Sequence, residues 1–498
     1  MLIGILAAVL ASGGAEWAGQ APPEAAASPA PAVPAAGPDE ALADAPLEAE
    51  AVPPGTPTIT LAGAVTMALE RNFSLLNSAD AVTSSRLREG VARAQFYPKL
   101  TPRFQRSGDD TSLALEAQQR VPWTGGTVTA SANLRSFSDS ADLGPFPRTS
   151  DMRLTVTQPL LRGFGPNASF YDLRLSRRSR ESQERQFELG RQRLAVEVAR
   201  SFFQVIQQRQ LLGVARQSLD RSDKLRRASE SRLQVGLVSK LDVYRAELQA
   251  SQAEESMVRS EASLEAELER FRTLLGLAPT EPLQPEAADL PEDLGSPIEP
   301  VEVLTQRALD HRLDLKEAVD EVGDAERTAS LARQNLLPQL DLNLGVSQIG
   351  TGTTFGNAFT AADRRVSVFL STSYPLERSS EAANRAVARL DVTARERTLH
   401  QRRLELQAEV RGAVRELERL RKSIELQKKG VEVAEQQRRL ATLRYQRGLA
   451  SNFDVVDAEG SLVVARSALV GLLTSYQVAK VDLMRVTGTL DVDKEFAP

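Results

Sequence analysis

The chain has 498 residues, a formal net charge of −5, 42% hydrophobic and 26% charged residues, and only 5% aromatics. So weak an acidic balance, with no basic cluster interleaved with aromatics, argues against a nucleic-acid partner. Cysteine is absent, which excludes disulfides, thiolate metal sites, a Cys nucleophile and a lipid on an N-terminal Cys.

Leu2–Leu10 is a short apolar core followed by the small residues Gly13, Gly14 and Ala15. It resembles a signal-peptide core and cleavage region over residues 1–18, although the first basic residue is Arg71. Residues 19–57 are dominated by Ala, Pro, Glu and Gly without periodicity and read as a linker. Beyond the leader there is no run of eighteen apolar residues, so no transmembrane helix is expected.

A first segment, 58–277, opens with a helix predicted over about Leu61–Gln95 that exits at Tyr97-Pro98, where proline cannot continue it. The period then changes from 3.6 to 2. Val128, Ala130, Ala132 and Leu134 alternate with Thr127, Thr129, Ser131 and Asn133, and Met152, Leu154 and Val156 alternate with Arg153, Thr155 and Thr157. A very long helix follows over about Ala168–Gln234, and a partner helix runs to about Leu275. Residues 278–300 are Pro-rich and acidic and read as a second linker.

The segment 301–490 repeats this order. A helix over about Val301–Asn335 exits at Leu337-Pro338, and Leu340, Leu342, Leu344 and Val346 then alternate with polar or small residues. So do Val366, Val368, Leu370 and Thr372, with Phe369 breaking the pattern. The second long helix, about Ser380–Gln446, carries a heptad seam through Leu406, Val410, Ala413, Leu417, Leu420 and Ile424. Its partner ends near Val486, and 491–498 form a tail. Pro98 to Gly236 covers 138 residues and Pro338 to Gly448 only 110. The surplus falls near Asp109–Phe137, as an extra hairpin or an elongated loop.

The strongest signal is a duplicated motif. RLQVGLVSKLDVYRAEL at 232–248 recurs as RYQRGLASNFDVVDAE at 444–459, offset by 212 residues without a gap. Gly236 and Gly448 are placed as helix-ending glycines, Ser239 and Ser451 as N-caps, and Asp242 and Asp454 at the third position of the next helix. Each copy is therefore a tight helix–turn–helix tip, and the chain is a two-repeat protein. Strands of about ten residues with one apolar and one small polar face suit a membrane and a wet lumen. Four such strands per chain, or six if the surplus crosses the membrane, cannot close a barrel of useful bore, and open edges in lipid are prohibitive, so other copies must complete the sheet.

This order of elements, with both R-x-x-x-G-L-x-S-x-x-D-V-x-x-A-E tips, resembles the outer membrane efflux protein family typified by TolC over about Thr58–Leu490. The resemblance implies a mainly α fold with membrane β: a homotrimer whose 12-stranded β-barrel in outer-membrane lipid continues into an α-helical coiled-coil tunnel. It implies a passive duct of a tripartite efflux pump or type I secretion system, docked on a periplasmic adaptor and an inner-membrane transporter. Gly236, Leu237, Ser239, Gly448, Leu449 and Ser451 would form the docking tips. Asp454 and Asp457 would form acidic rings at a periplasmic gate, and Tyr445 and Asp242 a pair linking the hairpins. The basic residue often found two positions after the second tip glycine is Ala450 here.

A coiled-coil scaffold or adaptor without a barrel is the alternative, disfavoured by two hairpins and alternating strands. No enzyme, metal or cofactor is expected. His311 and His400 are the only histidines and do not form a ligand spacing, and no GxxxxGK[ST] loop exists.

Overall fold

The computed structural model describes residues 57–496 except 109, 137–147, 287–289, 292–293, 295–297 and 361. The leader-like segment, nearly all of the first linker and most of the Ser136–Pro147 loop lie outside the described residues.

A two-residue strand β1 (Thr58–Ile59) precedes α1 (Leu61–Arg71) and α2 (Phe73–Ala94). The single opening helix read from the sequence is thus two. Asn72 makes the break, accepting from the Ser74 and Leu75 amides at 3.0 and 3.2 Å while donating to the Leu274 carbonyl at 3.0 Å. Four strands follow, β2 (Lys99–Ser107), β3 (Asp110–Arg120), β4 (Thr127–Ser136) and β5 (Arg148–Pro159). The one-turn α3 (Pro166–Ser169) then leads into α4 (Tyr171–Gln234) and α5 (Lys240–Leu274).

The described part of the second linker is packed rather than loose. Its strand β6 (Gln284–Pro285) pairs in parallel with β1, and Leu283 and Leu290 lie in the main apolar core. The second half runs α6 (Val301–His311), α7 (Leu313–Gln334), β7 (Gln339–Gly352), a short α8 (Phe355–Thr360), β8 (Asp363–Ser373), α9 (Ser379–Gln446) and α10 (Asn452–Val486). The last turn, α11 (Val492–Glu495), is docked through buried Val492 and an Arg191–Asp493 ion pair.

The expected helix over Val301–Asn335 is likewise broken, at Arg312, whose side chain is 7% exposed. Its guanidinium donates to Asp314 at 2.8 and 2.9 Å, to Glu409 at 3.2 Å and to the Val486 carbonyl at 3.2 Å. Burial pushes the Asp314 carboxyl up. Hydrogen bonds from Arg312 and Arg402, with their charges, outweigh that and hold it well below the usual carboxylate range. Both breaks sit where a neighbouring helix ends on a glycine. Gly276 (φ 77°) presses on Arg71 so closely that a Cβ would lie 2.6 Å from its carbonyl oxygen, and Gly488 (φ 69°) abuts His311 and Arg312. Local propensity cannot show such a crossing, because its cause lies in a distant part of the chain.

The long helices match their predicted limits. At about 1.5 Å per residue, α4 and α9, with 64 and 68 residues, are each about 100 Å long. The heptad seam is their buried stripe: Leu406, Val410, Leu417, Leu420 and Ile424 on α9, and Leu194, Val198, Val205 and Leu212 on α4. Among the described residues α10 is the one helix with the length and composition to cross a membrane. It instead packs along α9 and α4, which is where its apolar residues are used.

Six strands form one antiparallel sheet in the order β2-β3-β4-β5-β7-β8. The first half thus holds β2 and β3 besides the two strands read from alternation, so its surplus is a hairpin and not an elongated loop, and each chain has six strands where the twelve-stranded expectation counted four. The register aligns apolar side chains across every strand: Leu100, Ala117, Ala130, Leu154, Val346 and Val366 follow one row of partners. The opposite face carries Thr129, Thr155, Ser367 and an Arg103–Glu116 ion pair at 3.2 Å. Leu100, Phe104, Leu113, Leu115, Leu154, Val346, Val366, Val368 and Leu370 are all exposed. A continuous uncovered apolar sheet face of this kind belongs against lipid or another apolar surface.

Candidate functional site

Two features of this architecture can carry function: the sheet with its uncovered face, and the paired helix tips at the far end of the long helices. At the first tip, Gly236 adopts φ 75°, and the Leu237 and Gly236 amides donate to the Arg232 and Leu233 carbonyls at 2.9 and 3.0 Å. At the second, Gly448 adopts φ 70°, with Leu449 and Gly448 donating to Arg444 and Tyr445 at 2.8 and 3.0 Å. These are left-handed helix endings that a Cβ would strain. Ser239 and Ser451 cap the helices that follow. The Asp242 Oδ2 accepts from the Ser239 amide and hydroxyl at 3.2 and 2.7 Å, and the Asp454 Oδ2 from those of Ser451 at 2.7 and 2.9 Å. The bond from the Ser451 backbone, reinforced by its hydroxyl, lowers the Asp454 carboxyl below its ordinary value.

Leu237 and Leu449 are 74% and 68% exposed, with exposed Val235, Leu241, Tyr244 and Phe453 around them. Water does not favour so many uncovered aliphatic tips at one end of a molecule. Asp454 and Asp457 both lie on the exposed side of the first turns of α10, whereas Val455, Ala458 and Glu459 point inward. Among the described residues no cluster of His, Cys, Asp or Glu could hold a metal.

The two tips are stitched together by Arg232, Ser229 and Asn452, which sequence reasoning did not place at the site. Arg232 donates to the Tyr445 and Gln446 carbonyls at 2.8 and 3.1 Å, with its guanidinium 4.5 Å from the Tyr445 ring centroid. Tyr445, 2% exposed, shares a 3.0 Å hydrogen bond with the buried Ser229 hydroxyl. The side chains of Tyr445 and Asp242 are each engaged elsewhere, and what reaches Asp242 across the joint is Asn452, donating to its backbone carbonyl at 2.8 Å. Further along, Arg221 meets Glu459 at 2.8 Å, with the pair 17% and 7% exposed. Arg232 opens the duplicated motif and Glu459 closes it, so the repeat itself was the available signal. Arg226, in a polar slot of the seam, is paired with Asp223 and Glu230.

An antiparallel sheet with a lipid-suited face, carried on two hairpins of very long helices with capped tips, defines a two-hairpin class of protein. The chain belongs to the outer membrane efflux protein family, whose profile it matches over residues 64–277 and 304–489. It is 26% identical over 296 residues to the pyoverdine export outer membrane protein OpmQ of Pseudomonas aeruginosa. That match takes in 58% of this chain and 60% of the relative's length. Its fold is similar to that of the outer membrane protein VceC of Vibrio cholerae (TM-score 0.66, 18% identity, 86% of this chain and 96% of that one). It is also similar to the outer membrane channel CmeC of Campylobacter jejuni (TM-score 0.65, 14% identity, 87% and 88%).

Proposed function

We propose that this protein is the outer-membrane duct of a tripartite export system, an efflux pump or a type I secretion system. Three copies, each of two structural repeats, close their sheets into a barrel and their helices into a tunnel. The observation that carries this reading is the junction of the two parts. The same chain that exposes a continuous apolar sheet face sends helices of about 100 Å away from it. Neither part is complete alone. The sheet has two unpaired edges, intolerable in lipid, and the helices leave Leu404, Leu426, Val433 and Leu440 of α9 exposed.

Passage through such a duct is passive, and energy comes from an inner-membrane transporter reached through a periplasmic adaptor. The exposed Leu237 and Leu449 tips supply the adaptor's landing surface. Asp454 and Asp457, brought together from three copies, ring the entrance with negative charge, which attracts cations. The test is extraction and reconstitution. The protein requires detergent, migrates as a trimer in it, and forms ion-conducting pores in planar bilayers. A protein that stays monomeric in detergent and gives no pores refutes the reading.

A further inference from the structure

We infer that the assembled barrel has eighteen strands, six from each copy, with β2 of one molecule joined to β8 of the next. The inference rests on the trimeric duct proposed above and names the interface and bore of that duct.

Three observations carry it. The first is that β2 and β3 are integral to the sheet. Their apolar residues continue the lipid-suited face, with Phe104 opposite Leu113 and Leu113 opposite Leu134. The β3–β4 turn is locked to the base. Gly125 (φ 76°) sits so close to Gly163 that a Cβ would lie 2.6 Å from its carbonyl oxygen. The Gly165 amide and the Gln158 side chain both donate to the Thr124 carbonyl at 3.2 Å. Trp123, 71% exposed, stands edge-on to Phe170 at 5.4 Å, where an interfacial aromatic belongs. A floppy surface loop would show none of these ties.

The second observation is parity. Six strands alternate in direction, so β8 of one copy and β2 of the next meet antiparallel, as every other pair in the sheet does. Both edges are exposed, and both carry apolar residues on the same face, Leu100 and Phe104 on one and Val366, Val368 and Leu370 on the other.

The third is register. One row of partners runs from Lys99, at the foot of β2, through Gln118, Thr129, Thr155 and Gly345 to Ser367. Ser367 lies six residues above Ser373, the foot of β8. Joining the two feet, Ser373 to Lys99, therefore staggers each copy by six residues. Eighteen strands with a total stagger of eighteen tilt by about 35°, inside the range that closed barrels adopt. The same join sets Thr101 beside Ser371 on the lumen face and Phe104 beside Val368 toward lipid. At that tilt the backbone radius is about 17 Å, against about 11 Å for twelve strands at a similar tilt.

The absence of cysteine makes the joint directly testable. Thr101→Cys is combined in turn with Ser367→Cys, Ser371→Cys and Ser373→Cys in the full chain, and the detergent-purified protein is oxidised. Within one chain these edges are separated by four strands, so only an intermolecular disulfide can form. The expected result is covalent dimers and trimers, strongest for the pair with Ser371→Cys and absent from each single variant. The competing twelve-stranded joint, β4 against β8, is probed with Ser131→Cys and Ser371→Cys. Cross-linking of that pair alone, or of no pair in a protein that is trimeric by mass, overturns the eighteen-stranded barrel and leaves the duct intact. A wholly monomeric protein refutes the duct and the barrel together.

Discussion

Replacing Arg232 with Ala removes the clamp between the two tips. Two charge-assisted hydrogen bonds, 2.8 and 3.1 Å long, disappear along with the stacking on Tyr445 at 4.5 Å. Bonds of this kind contribute about 1.5 kcal/mol each at the low end, appropriate for a half-exposed side chain, and the ring contact adds about 0.5 kcal/mol. The joint should therefore weaken by about 3.5 kcal/mol, roughly three-hundredfold in its opening equilibrium. Arg232→Lys keeps the charge but cannot span both carbonyls, so its effect should be intermediate. Hydrogen exchange at the tip amides measures opening directly, and single-channel conductance reports its consequence for passage. Arg232→Ala should raise both, with Arg232→Lys between it and the parent. Unchanged exchange at Tyr445–Gly448 in Arg232→Ala would show that the clamp does not hold the tips together.

Tyr445→Phe leaves the buried Ser229 hydroxyl without its partner and should weaken the same joint by about 1 kcal/mol, read in the same exchange experiment. Asp454→Asn with Asp457→Asn should lower cation preference and blockade by multivalent cations in bilayer recordings. Because the capped Asp454 carboxyl titrates below its ordinary range, the parent's cation preference should persist through mildly acidic pH. Asp314→Asn deprives Arg312, whose side chain is 7% exposed, of its bidentate partner and should destabilise the fold by about 3 kcal/mol, measured as a fall in Tm at pH 7. A depressed folded-state value means that the contribution is complete above the unfolded carboxylate range and lost as pH falls through the folded value. The gap between variant and parent should therefore close only at strongly acid pH. Gly276→Ala forces a Cβ against the Arg71 carbonyl at φ 77° and should cost about 2 kcal/mol, seen as a lower Tm.

Much of this architecture is written locally. The heptad spacing of Leu406 to Ile424 gave α9 its extent, and the Gly–Ser–Asp order of the duplicated motif gave both tips with their caps. What escaped has long-range causes. Asn72 and Arg312 break their helices where Gly276 abuts Arg71, and Gly488 abuts His311 and Arg312, from distant parts of the chain. The strand β2 is obscured by Pro102, and β3 by Gln118 and Gln119, so alternation alone left a hairpin and a loop equally open. The Tyr445–Asp242 pairing came from resemblance rather than from the residues themselves. Within one chain Tyr445 meets Ser229 and Arg232, while Asp242 is held by its own Ser239.

Single-particle electron microscopy of the detergent-purified protein tests the central claim most directly. A threefold particle is predicted, with a helical tube about 100 Å long rising into a barrel of eighteen strands. A compact monomer, soluble without detergent and lacking a central channel, would contradict it.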